Sequence, residues 1–391
     1  MPNADRLRKV IAACDPSQPV PRDLYVERPN PLSRRLRNEI AHAASARVLL
    51  VGPPGVGKST ELIRFQQEAA REYTVVRPPL DTHLDLSIVS WHDLLIFTVL
   101  WAGDLLGLSQ AKELQQLSDM LRAPEPRTAG FIEGGMPLLT PAQRFRNDHG
   151  KVQKMISIGP AQCWDVAAAA LAKLEKSSGK PLVMLLDGLE KMGPDGAKQL
   201  YYHDGRYLRQ FPCRMIVTAP LAMSFEPYFG DIEESFFMIE RLRASATSEG
   251  QPGFDFFREI ARRRGADEVM SPELLKDAIA WGGGLPRQFL QLLATAMTHA
   301  AIEGQSEVDA EAVTRARLRV TERWQYQLEP KDITSLGLPD TKRERGDRAR
   351  LLRLGALVEY EMPDGTLKLD PNPLVAALLE RRIHDELRGR G

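Results

Sequence analysis

The feature that most constrains the fold is a glycine-rich loop between an apolar run and an amphipathic segment. The loop has the spacing GxxxxGK[ST] and reads Gly52-Pro53-Pro54-Gly55-Val56-Gly57-Lys58-Ser59-Thr60. Residues 47–51 before the loop predict a buried strand, residues 60–71 predict a helix, and residues 73–76 predict a second strand. Strand, loop, helix and strand at this spacing form a βαβ unit, so the sequence predicts a parallel sheet.

The loop has the residue types that bind a nucleotide phosphate chain. Its glycines let backbone N–H groups converge on phosphate oxygens, and the start of the following helix adds positive potential. Lys58 can reach the β- and γ-phosphates, and the Ser59 hydroxyl can bind Mg²⁺. A chance glycine loop is the alternative, but the position between a strand and a helix disfavours it. The sequence therefore predicts that a nucleoside triphosphate binds together with Mg²⁺.

Two acidic residues follow a second apolar run. Asp187 comes directly after residues 182–186, and Glu190 comes three residues later. Strand ends of a parallel sheet meet at one edge, so we expect Asp187 beside the phosphate loop, where it can hold Mg²⁺ through water. The Glu190 carboxylate can polarise an attacking water. The alternative for both residues is an ordinary solvated acid in a turn.

Two further residues are candidates for contact with the nucleotide. Thr218 ends a third apolar run, residues 215–220, and can touch the γ-phosphate or the attacking water; a plain strand-end threonine is the alternative. Arg287 follows Gly282-Gly283-Gly284-Leu285-Pro286, where glycines permit a tight turn and proline suits the first turn of a helix. Arg287 is then placed to face a ligand, and an ordinary helix-start arginine is the alternative.

The pattern along the chain predicts an α/β protein with a parallel sheet, a helical lid and a small winged-helix-like C-terminal domain. Its proline-rich start predicts an extended lead-in. Charges, prolines and paired glycines in residues 111–160 indicate an insertion or mobile loop. The predicted divisions are a lead-in over 1–31, a nucleotide-binding core over 32–245, a lid over 246–325 and the C-terminal domain over 326–391.

The composition favours a soluble cytoplasmic protein. The 391 residues contain 52 Lys and Arg and 52 Asp and Glu, so the net charge is zero and gives no general sign of a nucleic-acid partner. Cys14, Cys163 and Cys213 lack metal or disulfide spacing, which suits a reducing compartment. The N-terminus lacks the apolar core of a signal peptide, and no apolar stretch is long enough to span a bilayer. We therefore expect no membrane association.

Four segments resemble a known family in their order and spacing: GPPGVGKST, LVMLLDGLEK, MIVTAP and GGGLPRQFLQLL. They are similar to the AAA+/STAND group of P-loop ATPases, and within it to the prokaryotic archaeal-ATPase and initiator-like branch. The resemblance covers about residues 24–320, and it implies ATP, or less favourably GTP, as the nucleotide. It implies the following roles: Lys58 and Ser59 as phosphate-loop ligands, Asp187 as the Mg²⁺ acid, Glu190 as the catalytic acid, Thr218 as sensor 1, Arg287 as sensor 2, Pro286 near the adenine, and residues 26–31 packing by the base.

The chain departs from AAA+ motors in one respect. Motors commonly have adjacent Asp and Glu after the strand, whereas here Gly188 and Leu189 separate Asp187 from Glu190. This form is closer to STAND signalling ATPases, which act as switches with slow turnover. An arginine finger for a neighbouring subunit is not identified; Arg209 is a candidate, with an ordinary surface arginine as the alternative.

Two functions follow as competing hypotheses. The first is a regulatory ATPase switch that closes its lid on ATP, forms a homo-oligomer and controls a protein partner or effector; family analogy alone suggests bacterial defence. The second is a DNA-associated ATPase of the initiator or transposition-regulator kind, which would use arginines near the C-terminus. Residues 311–391 contain 16 Lys and Arg against 14 Asp and Glu, a net charge of only +2, which favours the first. A structural subunit with a vestigial site is a third alternative. It is disfavoured because all the main phosphate and metal positions are intact.

Overall fold

The computed structural model describes residues 2–120, 160–362, 364–376 and 379. A sheet of five parallel strands forms its centre, in the order β2-β3-β4-β1-β5. The strands are β1 (Arg47–Gly52), β2 (Thr74–Val76), β3 (Leu182–Leu186), β4 (Arg214–Pro220) and β5 (Met238–Arg241). The predicted α/β class with a parallel sheet is confirmed, although the edge strand β5 was not predicted.

Helices cover both faces of this sheet. Alternate residues of β1 point to opposite faces: Leu49 and Val51 belong to one buried cluster, and Val48 and Leu50 to another. Such two-sided burial explains why the strands are continuous apolar runs. The first helix, α1 (Pro2–Ala13), packs elsewhere. The flanking helices are α2 (Leu32–Ala41), α3 (Lys58–Ala69), α4 (Trp91–Leu105), α5 (Lys112–Met120) and α6 (Pro160–Ser178). Shorter helical segments are Leu80–His83, Leu189–Lys191, Pro194–Ala197, Lys198–His203, Gly205–Leu208, Leu221–Phe225 and Phe229–Glu233.

The predicted helical lid is present and has its own core. It consists of α7 (Pro252–Arg263), α8 (Pro272–Gly282), α9 (Pro286–Ile302) and α10 (Ala310–Gln327), with a short turn at Ala266–Glu268. Helix α1 packs into the same core through Leu7 and Val10, beside Phe257 and Phe289. The prediction that residues 1–31 are an extended lead-in is therefore wrong for residues 2–13, because their apolar side chains form a helix stripe that is buried against the lid.

The C-terminal region contains helices and a hairpin, as the sequence predicted. The helices are α11 (Pro330–Leu336) and α12 (Arg345–Arg353), with a short turn at Asp340–Lys342, and the hairpin joins β7 (Leu357–Glu361) to β8 (Leu367–Pro371). A two-residue strand after β5, β6 (Ala244–Ser245), pairs in parallel with β7. Leu351 and Leu357 belong to the same buried cluster as one face of the central sheet. The C-terminal region is thus packed onto the core, and its boundary at residue 326 stays a prediction.

Most of the predicted insertion, residues 121–159, lies outside the described residues. Its first residues, 112–120, form α5. Within the part of the chain that is described, no helix combines the length and apolarity needed to cross a bilayer.

Candidate functional site

The phosphate loop joins β1 to α3 with two glycines in the left-handed region. Gly55 has φ of 80° and Gly57 has φ of 103°, a conformation that side-chain-bearing residues rarely adopt. Lys58, the first residue of α3, is 5% exposed. Its Nζ donates to the carbonyl oxygens of Gly52 at 2.8 Å and Pro53 at 3.2 Å. The loop therefore curls around the ammonium group and fixes its position.

Charged groups converge on this buried ammonium. Burial lowers the pKa of Lys58, the nearby carboxylates of Glu190 and Asp187 oppose that shift, and the Arg287 guanidinium adds to it. The Ser59 hydroxyl donates to Asp187 Oδ1 at 3.2 Å. Two hard oxygen donors thus lie side by side where the resemblance expects Mg²⁺, and Mg²⁺ prefers such ligands. The residues fit the metal.

The turn after Asp187 places Glu190 against the neighbouring strand β4. Gly188 has φ of 94°, and the 3₁₀ turn Leu189–Lys191 follows it. Thr218, which is fully buried at the end of β4, donates from Oγ1 to Glu190 Oε2 at 2.7 Å. Its carbonyl oxygen in turn accepts a bond from the Tyr201 hydroxyl at 2.5 Å. The two extra residues after Asp187 therefore bring Glu190 into direct contact with Thr218.

The lid touches the phosphate loop through its backbone. The amide of Arg287 donates to the carbonyl oxygen of Gly55 at 3.1 Å. A Cβ atom added to Gly55 would lie 3.0 Å from the Arg287 Cβ, so the loop and the start of α9 are in contact. Gly284, three residues earlier, has φ of 71°, and a Cβ atom added to it would lie 2.3 Å from the Ser245 carbonyl oxygen. Glycine is therefore required where the lid passes β6.

A cavity of about 660 Å³ opens between the phosphate loop, the lid and the acid turn, Leu189–Lys191. Its volume is within the usual range for small-molecule sites. From the predicted site it is lined by Gly52, Pro54, Gly55, Gly57, Lys58, Ser59, Thr60, Glu190, Pro286 and Arg287. Among the predicted loop residues, Pro53 and Val56 do not line it: Pro53 supplies a carbonyl to Lys58, and Val56 is buried in the core.

Several other parts of the chain line this cavity and were not predicted to do so. Among them, the end of α1 and the segment after it contribute residues between Ala12 and Leu24, the C-terminal region contributes Leu352 and Arg353, and the acid turn contributes Lys191. The predicted base-packing segment contributes only Val26 and Arg28, and these line an adjoining cavity of about 50 Å³. The prolines before residue 24 were visible in the sequence, but no local pattern connected them with a nucleotide.

A buried ion pair supports the phosphate loop from behind. The Arg28 side chain donates to the carbonyl oxygen of Val56 and lies 3.4 Å from the Glu61 carboxylate in the first turn of α3. Its guanidinium also lies over the Phe256 ring of the lid, 5.2 Å from the centroid. Burial lowers the pKa of Arg28 and raises the pKa of Glu61, and each group opposes the shift of the other. Arg28 therefore links the loop, its helix and the lid.

The lid is also bonded to the C-terminal region. The side chains of Gln288 and Asn372 exchange two hydrogen bonds, at 2.9 and 3.0 Å, and both residues are buried. The Tyr360 hydroxyl donates to the Gly283 carbonyl oxygen at 3.1 Å. Gln288 directly follows Arg287, so the residue at the cavity and the residue at the C-terminal contact are neighbours in α9.

Other sequence candidates lie elsewhere. Arg209 donates to the Ser235 hydroxyl at 2.9 Å and does not line the cavity. Arg77, which was not predicted to belong to the site, forms an ion pair with Asp187. The structure thus brings Lys58, Ser59, Asp187, Glu190, Thr218 and Arg287 into one neighbourhood, while their roles with a nucleotide stay predictions.

The fold is that of a P-loop nucleotide-binding protein. The phosphate loop follows β1, the acid turn follows β3, Thr218 lies on β4 between these two strands, and a helical lid contacts the loop.

No family model matches this chain, and no curated relative matches it. Cdc6p from Pyrobaculum aerophilum is similar at 12% identity and a TM-score of 0.44, over 95% of this chain and 98% of that chain. The Aeropyrum pernix ORC2 protein is similar at 15% identity and a TM-score of 0.40, over 90% and 93%. The Thermotoga maritima RuvB Holliday junction branch migration motor is similar at 15% identity and a TM-score of 0.38, over 85% and 89%. Identities this low concern the fold alone.

Proposed function

We propose that this protein is a slowly hydrolysing ATPase that acts as a nucleotide-dependent switch, assembles into a homo-oligomer and controls a protein partner. The observation that carries the proposal is the bond from the Arg287 amide to the Gly55 carbonyl oxygen. It joins the lid to the phosphate loop one residue before Gln288, whose side chain bonds Asn372 in the C-terminal region. A movement of the phosphate loop on nucleotide binding would therefore be transmitted to the start of helix α9 in the lid.

The site residues divide the chemistry among them. Lys58 and the loop amides would bind the phosphates, and Ser59 and Asp187 would hold Mg²⁺, which supplies charge neutralisation to the phosphates when bound. Glu190 would orient and deprotonate the attacking water, with its carboxylate held in place by the Thr218 hydroxyl at 2.7 Å. Such a hydrogen bond fixes the direction of the carboxylate without neutralising its charge.

Switching requires that ATP and ADP differ in their affinity for two lid positions. Arg287 is suited to this, because its side chain is exposed to the cavity and its charge already acts on the Lys58 ammonium. We propose that Arg287 binds the terminal phosphates and that the lid thereby moves toward the nucleotide. The setting in bacterial defence and the slow turnover are proposed from the resemblance to STAND ATPases.

A DNA-associated ATPase is the second candidate, favoured by the helices and hairpin of the C-terminal region. The arginines that it would use are largely engaged within the chain, which counts against it. Arg315 pairs with Glu303 and Glu311, Arg319 with Glu322, and Arg350 with Glu329 and Asp332. Arg343 is 7% exposed and donates to backbone carbonyls. Less positive charge is thus available for a phosphate backbone.

The test is ATP turnover measured together with molecular mass by light scattering, with and without duplex DNA. The variants are Lys58→Ala and the matched control Lys173→Ala, which removes an exposed lysine from α6. We expect slow turnover and ATP-driven assembly that DNA does not change, loss of both in Lys58→Ala, and neither loss in Lys173→Ala.

Two results would contradict the switch. Strong stimulation of turnover by DNA, weakening as salt is raised, would favour the second candidate. A molecular mass of the wild-type protein that is the same with ATP, with ADP and without nucleotide would contradict ATP-driven assembly, even if the protein hydrolyses ATP.

A further inference from the structure

Arg77 lies at the carboxyl edge of the sheet, directly after β2 and beside the end of β3. Its Nη2 lies 2.6 Å and its Nε 3.2 Å from Asp187 Oδ2. The Asp187 side chain is 5% exposed and that of Arg77 is 30% exposed. Two N–H groups on one buried carboxylate oxygen form a charge-assisted contact of the stronger kind. Arg77 is thus the cationic partner of the acid assigned above to Mg²⁺.

The other oxygen of this carboxylate is also engaged. Asp187 Oδ1 accepts from the Ser59 hydroxyl at 3.2 Å and from the Gly188 amide at 2.9 Å. A divalent cation held by Ser59 and Asp187 must therefore share this carboxylate with the Arg77 guanidinium. Two cations on one carboxylate repel each other, so each weakens the binding of the other.

A second ion pair joins the same two segments. The Lys191 ammonium, at the end of the acid turn, pairs with Asp81, four residues after Arg77. These two groups are half-exposed and do not contact Asp187. Lys191 also lines the cavity. Removing Lys191 therefore removes one positive charge from the same region without releasing the carboxylate, which controls for the loss of a nearby charge alone.

We propose that Arg77 is a positioning residue that neutralises Asp187 and competes with the divalent cation for it, and so sets how strongly nucleotide binding depends on Mg²⁺. This inference rests on the proposed function, because it concerns the same metal site. Arg77 would keep the carboxylate from being a buried unpaired charge in the absence of the cation, and it would raise the Mg²⁺ concentration needed for occupancy.

The experiment compares wild type with Arg77→Gln, Arg77→Lys and Lys191→Gln. The first readout is the midpoint of a Mg²⁺ titration of the binding of a fluorescent, non-hydrolysable ATP analogue. The second is the Tm in EDTA and with Mg²⁺ alone. In Arg77→Gln we expect the Mg²⁺ midpoint to fall on the order of tenfold, as for removal of a cation within contact distance of a carboxylate. We also expect a lower Tm in EDTA that Mg²⁺ restores.

The two further variants separate the charge from its position. Arg77→Lys keeps the charge and loses the two-pronged contact, so its midpoint should lie between those of wild type and Arg77→Gln, and it serves if the glutamine variant does not fold. Lys191→Gln should stay within about twofold of wild type, because a half-exposed charge that does not contact the carboxylate is screened.

Each contrary result has its own meaning. A midpoint in Arg77→Gln equal to that of wild type or of Lys191→Gln overturns the inference. Weaker analogue binding at saturating Mg²⁺ also overturns it, because Arg77 would then contact the nucleotide rather than compete with the metal. If wild type binds no analogue, the proposed function fails. The inference about Arg77 is then decided by the Tm with Mg²⁺ alone, and it is overturned if Mg²⁺ does not raise the Tm of Arg77→Gln more than that of wild type.

Discussion

Replacement of Asn372 by alanine tests whether the lid and the C-terminal region are held together by the buried amide pair. The Asn372 side chain is fully buried and makes four hydrogen bonds. Its Nδ2 donates to Gln288 Oε1 and to the Gly355 carbonyl oxygen, and its Oδ1 accepts from Gln288 Nε2 and the Leu374 amide. Alanine removes all four and leaves a small cavity.

The magnitude follows from the groups left without partners. Each buried polar group that loses its hydrogen bond costs about 1–3 kcal/mol. Asn372→Ala leaves unpartnered groups on Gln288, Gly355 and Leu374, and water entering the cavity would satisfy part of them. We expect the free energy of unfolding to fall by about 3–5 kcal/mol. Gln288→Leu leaves fewer such groups, and we expect a loss of about 2–4 kcal/mol.

The double variant is the decisive measurement. Once Asn372 is gone, the second replacement leaves no new group unpartnered across the pair, so the double variant should lose less than the sum of the two single losses, by about 1–3 kcal/mol. Urea unfolding of the four proteins gives this coupling energy. As a control, Thr298→Ala removes an exposed hydroxyl from the same helix, and its effect should add to that of Asn372→Ala within about 0.5 kcal/mol. Simple additivity of Asn372→Ala and Gln288→Leu would refute the reasoning.

Three further predictions concern the site and the core. Thr218→Val should lower ATP turnover about tenfold with unchanged nucleotide affinity, because it leaves Glu190 without the hydroxyl that holds it; unchanged turnover in a steady-state assay would remove Thr218 from this role. Burial lowers the pKa of His92 to about 4, so its contribution to stability is complete above pH 6.5 and is lost as the pH falls toward 4, by about 3 kcal/mol. His92→Asn should therefore flatten the acid side of a plot of unfolding free energy against pH, and an equally steep plot would contradict this. Gly55→Ala should weaken nucleotide binding in calorimetry by more than Gly107→Ala, since both glycines have positive φ but a Cβ meets the lid only at Gly55; equal effects would mean that backbone strain alone acts.

The parts of the site that the sequence predicted are those with a local signal. The phosphate loop follows from residue types at fixed spacing, and β3 followed by Asp187 follows from an apolar run that ends in an acid. Both signals lie within a few consecutive residues. The contact of Glu190 with Thr218 could be proposed only as two separate roles, because it depends on the turn that Gly188 allows and on the pairing of β3 with β4.

The parts that were missed depend on pairs distant in sequence. Asn372 and Gln288 are 84 residues apart, and Arg77 and Asp187 are 110 apart. An asparagine, a glutamine or an arginine has no pattern of its own that distinguishes a buried partner from a solvated one. Helix α1 was missed for another reason: prolines dominate residues 16–31 and masked the apolar stripe of Leu7 and Val10. Tertiary packing against the lid, rather than local propensity, decides that segment.

The arrangement of charges limits how a switch can work in this molecule. ATP and ADP differ only in the γ-phosphate, so any preference of the lid for one of them must come from groups that interact with that phosphate. On the lid, Arg287 is a cation that both acts on Lys58 and lines the cavity. Because Gln288 follows it in the same helix turn, a shift of Arg287 cannot leave the Gln288–Asn372 pair undisturbed unless the C-terminal region moves with the lid. Under the proposed switch, the nucleotide would act on a partner by one of two routes. Either the lid and the C-terminal region move as one body, or the amide pair breaks at a cost of about 1–3 kcal/mol for each group left unpartnered. The first route needs the smaller difference in affinity between ATP and ADP, and a coupling energy at the upper end of the predicted range would favour it.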